Sequence, residues 1–276
     1  MENSNYIMSS NNRSKAMWNI IKKHTTSARN SDVNITLKYD NKVESRPTEV
    51  AAMFNEYFST IGKIDPKTFH NLPSLPPNNI TNSIKLTQTN SQEVLKTISS
   101  LKNKFSAGVD EFPEFLIKRC AQVIIDPLTH IINSSLTNGV FPNILKESKI
   151  RPLFKKGEKQ NIQNYRPIAL LSTFSKILEK IFFTRLVDFL SKNNILTQCQ
   201  HGFRKSRSTE TAMFSFLHDV ASALDRGKRP VGLSLDLSKA FDVINHNILI
   251  AKLPSYGIHE QALSWLSSYL KNRLQL

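Results

Sequence analysis

Apolar residues recur at helical spacing along most of this chain and switch to strict alternation at two places, which restricts it to a mixed α+β architecture. Val50, Met53, Phe54, Tyr57, Phe58 and Ile61 share one helical face, entered at Pro47 and Thr48 and stopped at Gly62. Ser91 can cap a helix carrying Val94, Leu95, Ile98 and Leu101; Ser106 to Asp110 then form a loop. Pro113 opens a further helix, and another is expected from about Pro127 to Asn138, ending at Gly139. At Ile150, Pro152 and Phe154 apolar positions alternate with basic ones, as in a short edge strand. Lys155-Lys156-Gly157 marks a turn, so a hairpin is expected there. Ser172 starts a long helix through Phe189 and Ser208 starts another reaching Gly227; both are expected to support the basic strand. Val231, Leu233, Leu235 and Leu237 alternate again, which puts Asp236 on the opposite face at the end of a buried strand. Helices around Asn247 to Leu253 and Ala262 to Leu270 follow.

Pro66, Pro73, Pro76 and Pro77 interrupt regular structure and set the expected organisation. Residues 1–62 form an N-terminal segment with a weak helical face of Met17, Trp18 and Ile21 and a polar linker through Asp40. Residues 63–88 form a proline-rich linker, and residues 89–276 the main domain. Cys120 and Cys199 stand far apart, which argues against disulfides and against a zinc module. Neither a secretory signal nor a membrane span is visible, so a nuclear or cytoplasmic, non-secreted protein is expected. Phosphate-binding glycine loops of the P-loop type and H-E-x-x-H metal sites are absent from the sequence.

Charge narrows the partners. The chain carries 37 Lys and Arg against 22 Asp and Glu, a formal +15. Residues 146–207 hold 14 Lys or Arg against 4 Asp or Glu, a net of +10, so two thirds of the excess is focused there. Arg151, Lys155, Lys156, Arg166, Arg204, Lys205 and Arg207 fall at turns and strand ends, where guanidinium forks and ammonium groups can meet phosphate oxygens. A polyanion, and nucleic acid first, is the expected partner. Asp236 and Asp242 lie six positions apart across a strand-to-helix switch, and a strand-end carboxylate suits Mg2+. Taken alone, Asp236 or Ser238 reads first as a helix cap, and Phe241 first as an ordinary core phenylalanine at the start of a helix.

Four blocks carry a resemblance: Ser106-Ala107-Gly108-Val109-Asp110; Lys149 to Gly157 with Asn164-Tyr165-Arg166-Pro167-Ile168; Gln200-His201-Gly202-Phe203-Arg204 with Ser208-Thr209; and Leu235 to Asp242 with Asn245-His246. From about Ser106 onward the chain resembles the reverse transcriptase domain of non-LTR retrotransposons, especially jockey-like and CR1-like elements. The resemblance implies part of a right-hand polymerase, with fingers to about residue 230 and the start of the palm over 231–276. It implies Asp236 as the first catalytic, metal-binding carboxylate, with the Leu237 carbonyl on the same metal, and Phe241 beneath the sugar as a barrier to a 2'-hydroxyl. Lys155, Lys156 and Arg166 would hold the incoming triphosphate, while Arg151, Gln200, Gly202, Phe203 and Arg204 would line the template and primer path. The implied partners are an RNA template, a DNA primer and deoxynucleoside triphosphates, with Mg2+, or alternatively Mn2+, as cofactor in the complete domain. The family's further metal-binding carboxylates come from an Asp-Asp motif, and this sequence holds no adjacent Asp pair. The expectation is therefore a fragment that stops before that motif and does not extend a primer by itself. The alternative is a non-catalytic RNA- or DNA-binding relic that keeps the basic fingers.

Overall fold

The computed structural model describes residues 35–39, 42–61, 82–237 and 240–276, the side chain of Lys42 excepted. The expected helix around Met17 and Trp18, the stop at Gly62 and the four-proline run lie outside these residues. Among the described residues the chain runs β1 (Leu37–Tyr39), β2 (Lys42–Glu44), α1 (Pro47–Thr60), α2 (Ser91–Ser99), α3 (Glu114–Asn138), β3 (Glu147–Phe154), β4 (Tyr165–Leu171), α4 (Thr173–Lys192), α5 (Thr209–Asp225), α6 (His246–Lys252), α7 (Glu260–Leu270) and β5 (Leu274–Gln275). The α+β class stands. No described helix is long and apolar enough to cross a membrane.

Four helices close the main core. α2, α3, α4 and α7 bring together Val94, Ile98, Ile117, Ile132, Leu136, Ile177, Leu178, Ile181 and Trp265. Trp265 stacks on Phe182 with ring centres 4.0 Å apart, and its indole N–H donates to the Ser135 hydroxyl at 3.0 Å. Ile84 and Leu86, within the expected proline-rich linker, are buried in this core. Asn90, not Ser91, caps α2, its side chain accepting from the Glu93 amide. Where two helices were expected, α3 runs as one helix of 25 residues straight through Pro127. The proline removes the bond to the carbonyl four residues back; that residue, Val123, is 84% exposed, so water can satisfy the carbonyl, while Ala121, Ile125 and Leu128 keep the buried stripe continuous. The helix ends at Gly139, whose φ of 64° is the left-handed cap conformation. A Cβ there would also stand 3.0 Å from the Gln261 carbonyl oxygen of α7.

A second, smaller core joins the N-terminal residues to the sheet. The polar run expected to be linker contains β1, which pairs antiparallel with β2, and its Leu37 is fully buried. Val50, Phe54, Tyr57 and Phe58 of α1 pack there with Ile162 and Tyr165, and Ile150 and Phe154 lie against them. The sheet order is β4-β3-β5, with β3 and β4 antiparallel and β5 parallel to β3. β3 is thus central only at its base, where β5 pairs with Glu147 and Ser148, and beyond Ile150 it is the expected edge. Pro152 is tolerated because the Ile150 amide donates to Leu276, so the next nitrogen on that side, at 152, points past the paired part of β5. Pro167, its cross-strand partner, likewise faces away from the β3–β4 ladder.

Two expectations fail in the region after α4. α5 is capped at Ser208 with a reciprocal Ser208–Thr211 bond pair, as its sequence promised, but it buries no residue and contributes none to either core. Residues 231–237 join no sheet, and Leu235 is 83% exposed. Alternation confers strand geometry only when a neighbouring strand takes up the backbone N–H and C=O groups, and no described strand lies beside this segment.

Candidate nucleic-acid interface

The β3–β4 hairpin converts a basic stretch of sequence into a basic face. Register pairs Arg151 with Ile168 and Leu153 with Arg166, and directly opposed residues share a face. Period two then puts Lys149, Arg151, Leu153, Arg166 and Ile168 on one side, where all five are exposed. The other side carries Ile150, Phe154 and Tyr165 into the smaller core. Arg151 and Arg166, fifteen residues apart in sequence, become diagonal neighbours. Beyond the last pair the tip is held by the Lys155 amide donating to the Asn164 carbonyl at 2.8 Å. Gly157 stands at φ 91°, a conformation strained for any L side chain, and a Cβ there would push on the Asn164 side-chain nitrogen at 2.7 Å. Lys155 and Lys156 therefore sit exposed at a tight tip, next to the basic face.

The base of the hairpin is locked by the Ser106–Asp110 loop. A Cβ at Gly108 would lie 2.5 Å from the Ser172 nitrogen and 2.6 Å from the Leu171 carbonyl carbon, so only glycine lets the two backbones touch. Ser172 donates to the Asp110 carboxylate, and Thr173 donates to the Phe112 carbonyl at 2.7 Å. Sequence reasoning read this loop as a family block and missed its role as a clamp. The signal was the small residue beside a short acceptor, Gly108 and Asp110.

The other expected residues lie on a separate stretch. Gln200 and Arg204 each make a local bond, Gln200 donating to the Gly202 carbonyl and one Arg204 guanidinium nitrogen to the Thr197 carbonyl at 2.7 Å. Gly202 has open space around it. Phe203 has a φ of 58°, unusual for a side chain of its size, and is 90% exposed. Its ring meets Phe241 edge-on at 5.8 Å, so a residue expected on the template path and the one expected beneath the sugar are brought together. Asp236 and Leu237 are exposed on the unpaired segment, and Ser238 lies outside the described residues. A carboxylate and a backbone carbonyl are the hard oxygen donors that a divalent ion takes. Among the described residues no three His, Cys, Asp or Glu side chains converge as a ready metal cage.

Residues 154–276 match the family model described as reverse transcriptase (RNA-dependent DNA polymerase). The chain is 31% identical over 189 residues to the probable RNA-directed DNA polymerase from transposon BS of Drosophila melanogaster, covering 66% of this chain and 20% of that protein. It is 28% identical over 171 residues to the RNA-directed DNA polymerase from mobile element jockey of the same organism, covering 62% and 19%. A third relative, the probable RNA-directed DNA polymerase from transposon X-element, is 27% identical over 188 residues, covering 66% and 20%. The chain thus spans about a fifth of the length of these relatives. Its motif blocks, its basic hairpin and these matches agree: residues 154–276 belong to the reverse transcriptase family, in the form carried by non-LTR retrotransposons.

Proposed function

We propose that this chain is the template- and nucleotide-facing front of an RNA-directed DNA polymerase. The observation that carries the reading is the exposed face on which Arg151 and Arg166 become neighbours while the opposite face of the same strands is buried. Such a face can follow a phosphate backbone with forked contacts. Lys155 and Lys156 at the tip, with Arg166, would meet the triphosphate of a deoxynucleotide. Gln200, Gly202, Phe203 and Arg204 would meet the RNA template and DNA primer, and Phe241 would lie under the sugar. Reverse transcriptases generally use divalent metal ions; here the Asp236 carboxylate and Leu237 carbonyl would hold one, Mg2+ or Mn2+, whose role is to stabilise charge on the reacting phosphate.

The test is fluorescence anisotropy of labelled single-stranded RNA titrated with the chain at several salt concentrations. Arg151→Ala and Arg166→Ala should each weaken binding about threefold to tenfold and lower the log–log salt slope by about 1. Lys192→Ala, at the far end of α4, should do neither. Equal effects at all three positions would mean that charge alone, not this face, binds RNA.

A further inference from the structure

Residues 35–61 precede the segment that matches the reverse transcriptase family, yet three ties run from them into the tip of the basic hairpin. The Lys38 amide donates to the Gln160 carbonyl at 2.7 Å. Leu37 of β1 and Ile162 of the tip are both fully buried in one cluster. The Phe54 ring of α1 meets Tyr165 edge-on, with ring centres 5.0 Å apart and planes at 69°.

Tyr165 is the point where these ties become functional. Its ring also meets Phe154 at 5.5 Å, and its hydroxyl donates to the Lys159 carbonyl at 2.7 Å, closing the tip on itself. Phe154 and Tyr165 form the last cross-strand pair of β3 and β4. The residues that follow them are Lys155 and Arg166. Because successive side chains in a strand point to opposite faces, the depth at which Tyr165 seats fixes how Arg166 stands out on the basic face. An isolated two-stranded hairpin is marginal in water, and β5 reaches only the base of this one. The tip therefore has its packing from residues 35–61.

We infer that the β1–β2–α1 module backs the hairpin and holds its phosphate-binding side chains in place, with Phe54 as a positioning residue for Arg166 and Lys155. The inference rests on the reading of the hairpin as a nucleic-acid face. Without the backing, binding has to pay for ordering the tip, so affinity falls while the number of phosphate contacts does not.

Phe54→Leu keeps an apolar side chain and removes the ring edge. In the full chain it should speed hydrogen exchange at amides 155–165 and weaken single-stranded RNA binding about fivefold with an unchanged salt slope. Arg166→Ala should then cost less in the Phe54→Leu background than in the wild type. Trp265→Phe, in the other core, should move neither tip exchange nor RNA affinity. Leu37→Val, which trims the module from its other side, gives the same exchange test should Phe54→Leu fail to fold. Unchanged tip exchange, or Phe54 and Arg166 losses that simply add, would overturn the inference. A wild-type chain that bound no RNA would overturn the functional reading instead, and the exchange result would still decide the backing.

Discussion

The closed helical core and the stretch from residue 197 to 245 are written in the same amphipathic code and come to opposite ends. In the first, α2, α3, α4 and α7 each meet a partner, and Trp265, Ile132, Leu136 and Ile181 are shut from water. In the second, Met213, Phe214 and Leu217 of α5 and alternate residues of 231–237 face outward, and no described residue is buried. Both helices at issue are well capped, α4 at Ser172 and α5 at Ser208. Local signals are therefore equal in the two regions. The difference is tertiary: patterning says which face is to be covered, and only a neighbour of matching shape covers it.

The largest consequence is for stability. Trp265→Ala should lose the stack on Phe182 and leave a cavity at a cost of about 3–5 kcal/mol, read as a fall in the urea midpoint. Phe214→Ala, on the open face of α5, should stay within about 0.5 kcal/mol. Comparable losses at the two sites would mean that α5 is covered in solution, and the contrast would be broken.

A smaller test compares two glycines from the family blocks. Gly108 stands where a Cβ would meet Ser172 and Leu171 backbone below 3 Å, which nothing flexible can relieve. Gly108→Ala should cost about 1–3 kcal/mol by forcing the clamp off the hairpin base. Gly202 has nothing within 4 Å, so Gly202→Ala should be close to neutral in stability, and any loss of RNA affinity there would report on binding alone. Thermal melts of both variants separate the two roles.

These contrasts show what was readable beforehand. Ile150, Pro152 and Phe154 announced the hairpin because both strands lie in one contiguous stretch, and Ser172 and Ser208 announced their helices because a cap is a local bond. The passage of α3 through Pro127 was not legible, since it depends on Val123 facing water. Nor was β1, whose three residues form a strand only because β2 and the hairpin tip take up their backbone groups. For the site, composition located the positive charge, while the sharing of one face by Arg151 and Arg166 required the register. The pairing of Phe203 with Phe241 joins residues 38 positions apart and left no periodic trace.

The finest test asks how closed the closed core is, through two carboxylates on its helices. Burial between α4 and α7 raises the Glu179 pKa above its ordinary value of 4.5, against the pull of the Ser175 hydroxyl, Arg273, the Tyr269 hydroxyl and Lys176. The same burial, with the Glu179 charge beside it, pushes the Tyr269 hydroxyl up to about 12. Glu93 moves the other way, held down by its hydrogen bonds to Arg185 despite partial burial. As pH rises past 4.5 the unfolded chain releases the Glu179 proton before the folded chain does, so this group's contribution, complete at lower pH, is lost until pH passes the raised value. Glu179→Gln cannot suffer that loss, and its Tm should gain on the wild type as pH climbs through this window. Glu93→Gln should show the reverse: its deficit is full above 4.5 and closes as pH falls through the lowered Glu93 value. A Glu179→Gln gap that stayed flat with pH would mean that water reaches the groove between α4 and α7, and that the closed region is open at that edge too.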